Sequence, residues 1–441
     1  MSEAAAGRPA AQDPSSRGGG GALLILGALV IGLLLGILAG NTGGGWREPL
    51  VGAAALIGGL WLDALKMTVI PLIVALLVTG IVGGADAARA GGLAARAVAW
   101  FLGFYLFSAL FGGLGMQALT ALFPLPGEGA DALRAGLASV EQPVSSAAVP
   151  GVADFFKAIV PANPVAAAAN DQILPLVVFS VIFAFALSRV AADRRRPALA
   201  FFEAVGDAML VVIGWVLWLA PAGVLALAFA VGAGAGGSAL GAVAHYVVLI
   251  SLLGVGITAV GFLIALLVAR FRPGAFVRAM AGPSAVAIST RSSLASLPAM
   301  LTSARSLGVD EGKADVVLPL AVALFRATGP AMNVGVAIYV AHWLGVTVTP
   351  WAFAAGIAVA TLASVGSVSL PGQVSFVTSI APISLAMGVP IEPLALLIAV
   401  ETIPDIFRTW GNVVLDVAVT GAVARQEGDA LTDELPADAR A

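Results

Sequence analysis

The sequence predicts an all-α polytopic membrane protein, and three observations lead there. Of its 441 residues, 60% are hydrophobic and 11% charged, with a mean hydropathy of +1.01, whereas a soluble domain carries about 25% charged residues. Apolar runs recur along the chain, and about 20 such residues cross a hydrocarbon core of about 30 Å. Arginines cluster in alternate loops, the pattern left when positive charge is retained on the cytoplasmic side.

The elements follow in order. Residues 1–21 are small and polar and read as a disordered cytoplasmic tail. Ala22–Gly40 is the first span; its Leu38-Ala39-Gly40 end fits a secretory cleavage site, but the apolar sequence that follows favours a retained helix. Further spans fall at 52–84, 93–123, 173–190, 199–232, 240–269, 316–344 and 391–424, and a second disordered tail occupies 425–441. Arg89 and Arg96 follow the second span, Arg189 and Arg194 to Arg196 the fourth, and Arg270, Arg272 and Arg278 the sixth. The loop after the third span instead carries Glu128, Asp131, Glu141 and Asp154. Even-numbered spans therefore end inside, and both termini face the cytoplasm of a multi-pass cytoplasmic-membrane protein.

Composition also excludes classes. The absence of cysteine removes disulfides and thiolate metal sites. A net charge of −3 gives no footprint for nucleic acid. His245 and His342 are too few and too far apart for a metal centre and read as core or interface residues. No cofactor motif is present. An intramembrane hydrolase using a serine and one of these histidines fails because no Gly-x-Ser-x-Gly context exists.

Two stretches, about 276–305 and 351–387, are apolar but interrupted by Ser, Gly and Pro. Ser292-Ser293-Leu294-Ala295-Ser296-Leu297-Pro298 echoes Ser364-Val365-Gly366-Ser367-Val368-Ser369-Leu370-Pro371-Gly372. Proline removes a helical hydrogen bond, and backbone groups freed at membrane depth must be buried in protein or face a wet cavity. Such paired breaks are the sequence pointer to a transporter binding site. Two Pro-kinked helices are the plainer alternative.

The last span carries the chemistry. At about 100° per residue, Glu401, Asp405, Arg408, Thr409, Asn412 and Asp416 lie within about 60° of one line. A single charge at the bilayer centre costs about 3 kcal/mol or more, so a stripe of four requires a cavity, partners, or both. Arg408 offers a planar fork for a carboxylate, and Asp405, one turn earlier, suits an ammonium group. Together they fit an acidic amino acid. Asn412 and Asp416 offer oxygen ligands to a hard cation, or in the case of Asp416 a proton-titrating carboxylate. A small anionic solute is thus the expected cargo. An anion-conducting channel or an exchanger of organic anions is the alternative.

These residues bring a resemblance into view. Leu65 to Leu72, Pro161-Ala162-Asn163-Pro164 with Asn170 to Leu174, Ala220 to Leu227, Thr290 to Pro298, Ser364 to Gly372 and Asp405 to Asp416 together resemble the dicarboxylate/amino acid:cation symporter family. The likeness runs in order over most of 22–424. It implies an inverted-repeat fold of eight transmembrane helices and two re-entrant hairpins, divided into scaffold and transport subdomains. It also implies a homotrimer in lipid and symport by an elevator-type movement, coupled to H+ or Na+. Carried over residue by residue, Arg408, Asp405, Thr409, Asn412, Ser292, Ser293, Ser369 and Gly372 would contact substrate. Asp416, Asn412, Glu401, Tyr105 and Ser108 would serve the coupling ion.

One departure matters. Where the family has Asn-Met-Asp-Gly-Thr in its seventh helix, this chain reads Phe325-Arg326-Ala327-Thr328-Gly329. Phe325 and Ala327 remove two sodium ligands, and a shifted register using Met332-Asn333 also lacks the Asp. Arg326 then stands beside the expected substrate as a tethered cation, or pairs with Glu401 or Asp416. Two arginines at one site favour a dianion such as a C4-dicarboxylate. Coupling would then pass to protons through Glu401, Asp405 or Asp416, or transport would run as exchange.

Overall fold

The computed structural model describes residues 18–42, 46–89, 91–125, 160–170, 172–235, 238–365 and 372–425. All regular structure among them is helical: α1 (Gly18–Asn41), α2 (Arg47–Arg89), α3 (Gly92–Leu122), α4 (Pro164–Ala169), α5 (Ile173–Leu187), α6 (Ala192–Trp218), α7 (Ala220–Ala235) and α8 (Ser238–Leu267). There follow α9 (Pro273–Thr290), α10 (Ser293–Ser306), α11 (Glu311–Leu324), α12 (Gly329–Leu344), α13 (Pro350–Val365), α14 (Gly372–Ala386), α15 (Glu392–Leu397) and α16 (Thr402–Arg425). Six stretches are long and apolar enough to cross a membrane, among them Arg47–Asp86 and the broken pair Glu311–Leu344. Helix α2 has 43 residues, so at 1.5 Å each it is about 65 Å long, twice the hydrocarbon thickness. It must tilt or project.

The first helix reaches back to Gly18, into the expected tail; the rest of the two tails lies outside the described residues, apart from Arg425, which ends α16. The expected spans 199–232 and 391–424 are each two helices, not one. Leu219 separates α6 from α7, and residues 398–401 separate α15 from α16. Apolar composition does not register either break. At the second, Pro404 in the first turn of α16 has no N–H to continue the ladder. The span at 316–344 is broken as well. Phe325 ends α11 with ψ of 81°, and Pro330 in the first turn of α12 suits a helix start.

The first interrupted stretch is a tight helical pair. Arg291 turns the chain in the left-handed region (φ 53°), and the Ser292 hydroxyl accepts the Ala295 N–H at 3.2 Å, capping α10. Helices α13 and α14 form the second pair. Its tip, residues 366–371 with Ser369, lies outside the described residues, as do the surroundings of Gly372.

Packing brings α16 against α8, α9, α10 and α11, while α1 and α2 pack on α7 and α6. Helix α3 lies along α12, where Gly112 lets the backbones touch: a Cβ there would collide with the Ala331 carbonyl. Small residues at membrane interfaces serve this close approach. Gly112→Val is expected to overpack that seam by about 1–3 kcal/mol, lowering the unfolding temperature in detergent, followed by tryptophan fluorescence. An unchanged midpoint would refute the contact.

Candidate functional site

The break between α11 and α12 sets the site. Four consecutive residues, Phe325 to Thr328, lie outside the two helices, and several backbone groups in and beside them bond to side chains. The Tyr105 hydroxyl donates to the Leu324 carbonyl and accepts the Arg326 N–H at 3.3 Å. Ser108 Oγ donates to the Ala327 carbonyl at 2.6 Å and accepts the Ala331 N–H at 3.1 Å. Asn412 Oδ1 accepts the Thr328 N–H at 2.9 Å and lies 2.8 Å from the Thr328 hydroxyl. These bonds hold backbone groups of the unwound segment within the protein, as membrane depth demands.

Phe325 is 1% exposed. Its ring stacks on Phe101 at 4.5 Å and meets Phe104 edge-on at 5.4 Å. Such rings prefer these arrangements and fill space that an oxygen ligand would need.

Arg408 is held on several sides. Its Nη2 donates to Glu401 Oε1 at 2.7 Å, its Nη1 to Asn333 Oδ1 at 2.6 Å, and its Nε lies 3.8 Å from Asp405 Oδ1. The second Glu401 oxygen accepts the Tyr246 hydroxyl at 3.3 Å, from α8. Arg326 interacts electrostatically with Asp405 and Asp416, as well as with Arg408. Of the two pairings expected for Arg326, Asp416 is within its electrostatic reach, whereas Glu401 is taken by Arg408. Asp416 is 1% exposed, and neither of its carboxylate oxygens has a hydrogen-bond partner within the described structure.

A cavity of about 50 Å³ opens between α2 and these helices. Arg326, Arg408, Asn333 and Asn412 supply its polar wall, with Ser364, Thr378 and Ser379 from the second helical pair. Ile73, Leu76 and Leu77 of α2 line its apolar side. Among the described residues that line it there is no carboxylate.

Of the residues singled out from sequence, Arg408, Arg326 and Asn412 therefore meet at one cavity. Glu401, Asp405 and Asp416 stand behind them. Thr409 is buried, and Ser292 and Ser293 are half-buried at the α9–α10 turn; none of the three lines the cavity. Ser108 and Tyr105 serve the broken backbone. Asn333 and Tyr246 were not assigned roles from sequence, because a lone amide or phenol in an apolar helix carries no periodic signal. His245 bridges the Tyr339 hydroxyl (3.0 Å) and the Phe123 carbonyl (2.9 Å), an interface role. No group of three or more potential metal ligands occurs among the described residues.

The sodium:dicarboxylate symporter family matches residues 22–426. The chain belongs to that family. Its relatives include the proton/sodium-glutamate symport protein of Bacillus subtilis, 29% identical over 407 residues that cover 91% of this chain and 92% of the relative. The proton/glutamate-aspartate symporter of Escherichia coli is 27% identical, covering 91% and 92%. A C4-dicarboxylate transport protein of Rhodospirillum rubrum is 26% identical, covering 92% and 90%. In this symporter-family member Phe325, Arg326 and Ala327 belong to the broken segment between α11 and α12 that builds the site.

Proposed function

We propose that the chain is a secondary active transporter of C4-dicarboxylates, with acidic amino acids as the second substrate class, working without sodium. One observation carries this reading: Arg326 and Arg408 face the same cavity, and no carboxylate among its described lining residues is available to an ammonium group. Two guanidinium forks suit two carboxylates. The Phe325 cluster stands where sodium ligands are expected, and the Tyr105 and Ser108 hydroxyls are engaged by backbone. Arg326 keeps its proton in proteins and so supplies a permanent positive charge. The relatives' names, which include C4-dicarboxylate, glutamate and aspartate transport, support the substrate range.

In this proposal the fold comprises eight spans and two re-entrant pairs, assembled as a trimer in the cytoplasmic membrane with both termini inside. The cavity lies between α2 and the α12–α14–α16 side, so sliding one body past the other would expose it alternately. The test is succinate counterflow in proteoliposomes with choline in place of sodium. Persisting counterflow is expected. Strict dependence on sodium would overturn the reading, and unsaturable flux would favour a channel.

A further inference from the structure

We propose that Glu401 is the proton-binding site that gates Arg408, so that a dicarboxylate enters only when Glu401 takes up a proton. This rests on the anion-transport reading above and names how that site is coupled.

The geometry shows Arg408 engaged by an internal anion. Each terminal nitrogen donates one N–H, to Glu401 at 2.7 Å and to Asn333 at 2.6 Å. The cavity beside it is lined by Arg408 and Asn333 themselves, so a carboxylate that enters must compete with Glu401 for the Arg408 fork. Asn333 is neutral and can yield without charge penalty. Glu401 is 1% exposed and cannot leave Arg408 as a bare anion. The charged and titratable groups facing it are Arg408 and Asp405 from α16 and Tyr246 from α8. Behind Tyr246 stands the Tyr339 ring of α12, with ring centres 5.3 Å apart.

The step balances simply. A proton from the outer solvent adds to Glu401, forming an O–H bond and cancelling the charge that holds Arg408 Nη2. Tyr246 then receives or donates a hydrogen bond across the same 3.3 Å contact. The freed guanidinium N–H groups turn to the substrate carboxylate. After release inside, the proton leaves Glu401, which re-forms its pair with Arg408. The charge count points the same way. Arg291, Arg326 and Arg408 are balanced by Glu401, Asp405 and Asp416, so a dianion adds two uncompensated charges at membrane depth, and each proton taken up removes one. Apparent affinity scales with the fraction of sites that are open.

The probe is succinate, with full-length protein in weakly buffered detergent, and the readout is protons taken up per succinate bound. Wild type is expected to take up about one or more protons on binding at neutral pH, and Glu401→Gln about one fewer. In proteoliposomes, the stimulation of succinate uptake by an inward proton gradient should vanish in Glu401→Gln and return in Glu401→Asp. Equal proton uptake by wild type and Glu401→Gln overturns the gate while leaving the anion reading intact. Failure of wild type to bind or exchange any succinate overturns both. Should Glu401→Gln not fold, Glu401→Asp against Glu401→Ala gives the same comparison, and a gradient response retained in the alanine variant refutes the proposal.

Discussion

Arg408→Ala is expected to cut succinate counterflow by about a hundredfold or more, since charge-assisted hydrogen bonds contribute about 1.5–3 kcal/mol each and every 1.4 kcal/mol is tenfold. The fork that grips the substrate disappears, and its buried partners remain. Glu401 and Asp405 lose the cation at 2.7 and 3.8 Å, and breaking a buried pair from one side costs about 3–5 kcal/mol. Both effects belong to one substitution, so transport must be normalised to monodisperse protein. Arg408→Lys separates them. It restores a positive charge for Glu401 but not the planar pair of donors, so stability should recover more than uptake. Full transport by the alanine variant would remove α16 from the substrate path.

Arg326→Met is expected to weaken succinate binding by about tenfold to a hundredfold, the loss of one charged contact, and to erase much of the preference for a dianion over butyrate. It should also lower stability. Among the described residues Asp416 has no hydrogen-bond partner on either oxygen, and Arg326 is a positive charge within its reach. Isothermal titration with both acids, alongside a thermal melt, measures the two effects. If binding of succinate and butyrate is unchanged, Arg326 is a packing ion and the case for a dicarboxylate fails. A natural extension is Phe325→Asn with Arg326→Met and Ala327→Asp, which installs the Asn-Met-Asp part of the pattern expected from the resemblance and should add a sodium-dependent rise in melting temperature.

Much of this was legible in the sequence, for reasons that differ by element. The polar stripe of α16 and of Glu401 just before it could be read because charges at membrane depth are costly enough to impose helical periodicity on Asp405, Arg408, Asn412 and Asp416. The turn at Ser292 was legible because capping chemistry is local. The breaks at Leu219 and at 398–401 were not, since an apolar run continues across them and hydropathy has no memory of backbone angle. Nor could the sequence tell whether Glu401 serves Arg326 or Arg408. That choice depends on how α8 and α12 approach α16, which places Tyr246 and Asn333 around the Arg408 pair. Long-range packing decided it.

The Glu401–Arg408 pair beside the cavity has a bearing on cell energetics. A buried cation that keeps an internal counterion between cargoes carries no net charge of its own through the bilayer. Many copies can then reside in one membrane without each adding a charge movement to the gradient that drives them.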